Sequence, residues 1–183
     1  FRRGPLLATR AKEFLFVGQF VKRKGVDILC RAFCRLREKH PDWMLRLCGS
    51  GPLRAQFIGL PGVIVEGFVQ PEQLSSLYHK ARFFVLPSLQ ENWGLVVHEA
   101  ALSGCALLLS NAVGSRQDLA TSMNALVYSA GSETALYQAM EEVIAWEDFR
   151  YQEAQNVSYE RATQFGPARF VSTLCDLINA ERQ

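Results

Sequence analysis

The sequence predicts an α/β domain built on one doubly wound parallel sheet. Three observations predict it. Short apolar runs alternate with helical patterns through five crossovers. The runs are continuous more than alternating, as expected of parallel strands buried on both faces. Glycine-rich turns follow the runs on one side, the edge where open α/β sheets bind ligands. A chain of 183 residues suits one domain of this kind and is tight for two.

The strand candidates, in order, are Glu13–Val17, Met44–Cys48, Val63–Glu66, Phe83–Leu86, Ala106–Leu109 and Ala125–Tyr128. Between the first two, Val26, Leu29, Phe33 and Leu36 fall on one face at spacings of three and four, so Gly25–Lys39 reads as a helix. His40-Pro41 stops it, because the residue before proline is pushed out of the helical region. Shorter helices fit Leu53–Ile58, Pro71–Lys80, Gly94–Ser103 and Gln117–Thr121, with Pro71 suited to a first helical position. After the sixth strand the pattern becomes helical: Glu133–Trp146, Phe149–Gln164 and Ala168–Arg182. Phe170, Leu174 and Ile178 form an apolar stripe on the last, expected to turn toward a second domain.

Composition excludes several classes. Hydrophobic residues make up 49% and charged residues 21%, an ordinary globular balance. The net charge of +2, from 20 basic and 18 acidic residues, gives no electrostatic reason to expect a nucleic acid partner. No apolar run approaches the roughly 18 residues of a membrane helix. The five cysteines include no Cys-x-x-Cys pair, and Cys30 and Cys34 lack further ligands for zinc, so thiols in a reducing, cytoplasmic setting are expected. The opening Phe1-Arg2-Arg3-Gly4-Pro5 has neither Met nor a signal-peptide core and reads as a cut from a longer chain.

The chemistry gathers at the carboxyl ends of the strands. The first strand leads into Gly18 and then Lys22-Arg23-Lys24-Gly25; the second into Gly49-Ser50-Gly51-Pro52; the third into Gly67-Phe68-Val69. Cations beside a helix N-terminus oppose the macrodipole unless an anion lies between, so Lys22–Lys24 point to phosphate. The fourth strand leads into Pro87-Ser88 and then Glu91-Asn92-Trp93-Gly94, with Glu99 eight residues beyond Glu91. If both carboxylates were helical they would be about 12 Å apart, at ~1.5 Å per residue. A hydrolytic pair needs about 5–9.5 Å. The spacing suits two contacts at opposite ends of a long polar ligand, with the N–H groups of Leu95 and Val96 facing its middle.

These motifs resemble the carboxyl-terminal, nucleotide-sugar-binding domain of retaining GT-B glycosyltransferases of the group 1 type. The resemblance runs from Phe14 to Val127 and rests on several motifs in register. They are G-x-x-x-x-[RK]-K-G at Gly18–Gly25, G-x-G-P at Gly49–Pro52, G-F-V at Gly67–Val69, P-S at Pro87-Ser88 and E-x7-E at Glu91–Glu99. It implies a Rossmann-like fold, one half of a two-domain enzyme, with residues 1–183 as the donor-binding domain and the amino-terminal acceptor domain absent. It implies that Glu91 contacts the donor sugar, Glu99 the ribose, and Arg23 and Lys24 the diphosphate. It places Gly18, Gly94, Leu95 and Val96 against the ligand and the backbone at Val69 against the base. No metal or other cofactor is expected, since basic residues and helix dipoles take that role. The partners implied are a nucleotide-diphosphate sugar, the missing domain and an unspecified acceptor. Gln19 stands where many relatives carry Arg, and Trp93 where Phe is commoner. Gln19 leaves open a non-catalytic nucleotide-sugar-binding module; a nucleotide-sugar epimerase, a sugar phosphorylase and a receiver-like domain are the other competitors. The receiver reading needs clustered acids at the end of the first strand, where this chain is basic.

Overall fold

The computed structural model describes residues 10–165. Six strands form one parallel sheet: β1 (Ala11–Val17), β2 (Met44–Cys48), β3 (Val63–Gly67), β4 (Ala81–Leu86), β5 (Ala106–Ser110) and β6 (Ala125–Tyr128). Their order across the sheet is β3-β2-β1-β4-β5-β6. The direction of winding reverses between β1 and β4, so the crevice at their carboxyl ends is the topological switch point. The helices are α1 (Val26–Lys39), α2 (Pro71–Lys80), α3 (Leu95–Leu102), α4 (Arg116–Leu119), α5 (Glu133–Ile144) and α6 (Asp148–Thr163). On the two faces of the sheet, α1 packs against α5 and α3 against α6.

The apolar runs set the burial. Every residue from Phe14 to Val17 is buried, as is every residue of β5. The edge strands β3 and β6 are only partly covered, since each lacks a neighbour on one side. One end of the core is aromatic: Phe14 lies 4.9 Å from Trp43 and 5.4 Å from Phe83, which meets Tyr151 edge-on at 4.9 Å. Offset and edge-on rings add to their burial energy, so this part of the sheet is a firm platform. A buried ion pair also ties β1 to β2, with both oxygens of Glu13 accepting from Arg46 at 2.9 Å.

All six expected strands are present, with ends shifted by at most two residues. One helical expectation is corrected. The segment 53–58 forms only a short 3-10 turn over Arg54–Gln56, closed by Gly59 in the left-handed region and followed by Pro61-Gly62. Too few residues lie between Pro52 and these breakers for an α-helix to repay its nucleation. The expected helix Ala168–Arg182 and its stripe lie outside the described residues.

Candidate functional site

Two clusters form at the carboxyl edge of the sheet. The first is a cavity of about 440 Å³ over the ends of β1, β2 and β3. Gly18, Val69, Val96 and Glu99 line it, together with Gln19, Cys48, Ser50 and Phe68. Close backbone approach shapes its floor. The Gly18 N–H donates to the Cys48 carbonyl at 2.9 Å, and a Cβ on Gly49 would stand 1.9 Å from the Gly18 carbonyl oxygen. Two cavities of similar size, about 520 and 510 Å³, lie elsewhere, beside β6 and along α1. Neither gathers a residue singled out by the motifs, and chemistry outranks volume as a guide here.

Glu99 enters the first cavity from α3. The Tyr78 hydroxyl donates to its Oε2 at 3.0 Å. Burial pushes the Glu99 carboxyl above its usual range, and the Tyr78 hydrogen bond works in the opposite direction. His98, beside it, does not face the ligand edge in the same way: its Nε2 bonds the Ala162 carbonyl at 2.9 Å and fastens α3 to α6.

The second cluster straddles the switch point. Lys24, after β1, forms an ion pair with Glu91, after β4, and both side chains are only 13% exposed. Backbone contacts hold the two loops together. Leu89 N–H donates to the Arg23 carbonyl at 2.8 Å, and Gly25 takes the left-handed conformation at φ 66°. Only glycine fits there, because a Cβ would stand 2.2 Å from the Pro87 carbonyl oxygen. Glu91 is further fixed by its backbone, which accepts from Gly114 N–H at 2.8 Å and donates to Ala112 at 3.2 Å.

The structure gives each of these residues a definite setting. Glu91 lies on a loop ahead of α3, which begins at Leu95, in line with the expected helix Gly94–Ser103, so the helical rise between Glu91 and Glu99 does not apply. The basic turn already has its anions: Lys22 pairs with Asp27 at 2.7 Å and Lys24 with Glu91. Arg23 is exposed and reaches the Gln90 carbonyl at 3.3 Å, so here it braces the loop. Gly94 caps α3 in the left-handed region at φ 86°, and Leu95 is 69% exposed on its first turn. Early N–H groups of such a turn have no intrahelical acceptor. Trp93 packs edge-on against Phe165 at 6.3 Å.

Sequence reasoning missed Tyr78. In the pattern of α2 it reads as one more core residue, and the only available signal was that a buried tyrosine hydroxyl needs a partner. Among the described residues no three His, Cys, Asp or Glu side chains cluster as metal ligands, and no helix is long and apolar enough to cross a membrane.

The family model described as Glycosyl transferases group 1 matches residues 11–145. The chain belongs to this family. It is 33% identical over 121 residues to an uncharacterized glycosyltransferase of Methanocaldococcus jannaschii, covering 62% of this chain and 31% of that protein. It is 35% identical over 123 residues to a glycogen synthase of Mycobacterium tuberculosis, covering 61% and 30%. The chain thus spans about a third of the length of these relatives. Among solved structures, it resembles the C-terminal domain of a group 1 glycosyl transferase, LpcC, from Francisella tularensis, with a TM-score of 0.73 at 21% identity over 86% of this chain and 88% of that one. It also resembles the pneumococcal O-GlcNAc transferase GtfA, solved with UDP and GlcNAc, with a TM-score of 0.77 at 16% identity over 98% of this chain and 38% of that one. At these identities the likeness establishes the GT-B half-fold.

Proposed function

We propose that this group 1 chain is the donor-binding domain of a retaining glycosyltransferase that uses a nucleotide-diphosphate sugar. The observation that carries the reading is the pairing of Lys24 with Glu91 across the switch point, beside the cavity that holds Glu99. A nucleoside would fill that cavity, with its ribose hydroxyls donating to Glu99 and its base against Val69 and Gly18. The diphosphate would pass the N-terminus of α3, near Gly94, Leu95 and Val96, and replace Glu91 as the partner of Lys24. Glu91, released, would accept from sugar hydroxyls. As the sugar–oxygen bond breaks, Lys24 and Arg23 would stabilise the charge gathering on the leaving diphosphate, a role that needs no metal.

Transfer itself belongs to the whole protein in this reading, with an amino-terminal domain supplying the acceptor site and closing over the donor. The four described cysteines are free thiols, which supports a reducing, cytoplasmic setting. The test is thermal unfolding of the chain with UDP, GDP, ADP and their sugars. One nucleoside diphosphate should raise the melting temperature in proportion to the logarithm of its concentration above Kd. No stabilisation by any of them at millimolar concentration overturns the reading.

A further inference from the structure

Tyr78 stands behind the cavity. Its ring is fully buried and lies 5.9 Å from Phe84. Its backbone carbonyl accepts from Arg10 at 2.9 Å and from the Cys105 thiol at 3.0 Å, so both ends of the residue are anchored. The hydroxyl has two acceptors in reach, Glu99 Oε2 at 3.0 Å and the Val96 carbonyl at 3.4 Å. It carries one proton, and the nearer carboxylate is the stronger acceptor. The other carboxylate oxygen, Oε1, has no hydrogen-bond partner among the described residues, and Glu99 lines the cavity.

We propose that Tyr78 is a positioning residue for Glu99, holding Oε2 so that Oε1 is presented, ionised, to a vicinal diol in the cavity. The proposal rests on the nucleoside diphosphate reading above. Burial disfavours the Glu99 carboxylate, and a fixed donor offsets part of that cost. The phenol serves as a permanent donor, because burial and the nearby Glu99 charge keep it protonated far above the ordinary tyrosine range. Among the described residues, the other titratable groups around the pair are His98 on α3, Cys48 of β2 and Cys105 before β5. Burial holds Cys48 up at about 12 and raises Cys105, so both stay neutral thiols, and His98 is engaged by Ala162.

The experiment compares the wild type with Tyr78→Phe, Glu99→Gln and the double variant. The probes are UDP, GDP and ADP and their 2′-deoxyribose counterparts, followed by calorimetry from acid to neutral pH. Tyr78→Phe should weaken the tightest of the three nucleoside diphosphates about tenfold, as expected for a lost bond to a charged group. It should also move the acidic limb of the affinity profile to higher pH and reduce the preference for ribose over deoxyribose. The double variant should bind no more weakly than Glu99→Gln alone, since the two act as one unit. A fluorinated tyrosine at position 78, a stronger donor of nearly the same size, should move the acidic limb the other way. That replacement keeps the test open if the phenylalanine variant folds poorly. An unchanged acidic limb together with an unchanged ribose preference overturns the proposal, whatever the melting temperature does. If the wild type binds the nucleotides normally in that case, the donor-site reading stands; if no nucleotide binds the wild type, both fall.

Discussion

Glu91 and Glu99 belong to one sequence motif, yet the fold gives them opposite surroundings. Glu99 sits on a helix and meets a neutral donor, Tyr78, in a partly closed cavity that pushes its carboxyl up. Glu91 sits on a loop and meets a cation, Lys24, in a nearly buried pair. In the proposed donor site, the first end is shaped before a ligand arrives, and the second would exchange one anion for another when a ligand arrives. Residue type therefore does not set a carboxylate's role; the charge and rigidity of what faces it do.

The comparison can be broken most severely at Gly114. A Cβ there would stand 1.8 Å from the Asn92 carbonyl oxygen, so Gly114→Ala must push the loop carrying Glu91 aside. We expect a loss on the order of 2–3 kcal/mol of stability, typical of forced overpacking. Chemical denaturation measures it, and an unchanged midpoint would show that the loop yields freely. Binding at the Glu99 end should survive in the folded fraction, while any added affinity from the sugar should vanish.

Lys24→Ala tests the second end directly. Removing the cation should weaken a nucleoside diphosphate by about 1.5–3 kcal/mol, roughly ten- to a hundredfold. Isothermal titration of both proteins decides it, and equal affinities remove Lys24 from the site.

Glu91→Gln should act in the reverse direction on the free nucleotide. It removes the anion that competes for Lys24, so the nucleoside diphosphate should bind about two- to fivefold more tightly, the scale of a partly screened ion pair. The corresponding nucleotide-sugar should lose its advantage over the free nucleotide. A nucleoside diphosphate bound more weakly by Glu91→Gln would show that the carboxylate supports the phosphate site and does not compete with it.

The smallest expected effect is on stability at Glu99. Its folded pKa lies above the usual carboxylate range, so the native state holds the proton more tightly than the unfolded chain does. The carboxyl therefore subtracts stability as pH rises from the ordinary glutamate range through the folded value, and the penalty is full above it. Glu99→Gln should raise the unliganded stability at neutral pH by a few tenths of a kcal/mol, roughly, after solvent screening. At pH values below the ordinary range the two proteins should melt alike. A gain at low pH equal to that at neutral pH would assign it to packing.

Sequence reasoning reached the sheet and the motifs because both are local. Continuous apolar runs such as Phe14–Val17 mark strands whichever neighbours they take, and Gly94 and Pro71 punctuate helices through their own dihedral preferences. It did not reach the Lys24–Glu91 pair, whose members are 67 residues apart, or Tyr78, 21 residues from Glu99. It did place Glu91 ahead of the helix that carries Glu99, but did not reach the contact with Gly114 that fixes the Glu91 loop.

By itself, then, the sequence determined the α/β class, the six strands, the strand ends where the motifs gather and the family. Each follows from periodicity, turn chemistry or motif register, which act over a few residues. Which loops meet at that edge was decided by the tertiary structure alone. The strand order brings β1 beside β4, and only that adjacency turns two distant charged loops into one ion pair. Desolvation is likewise a property of the assembled fold. A carboxylate or a phenol acquires its electrostatic character only when the surrounding chain has excluded water from it.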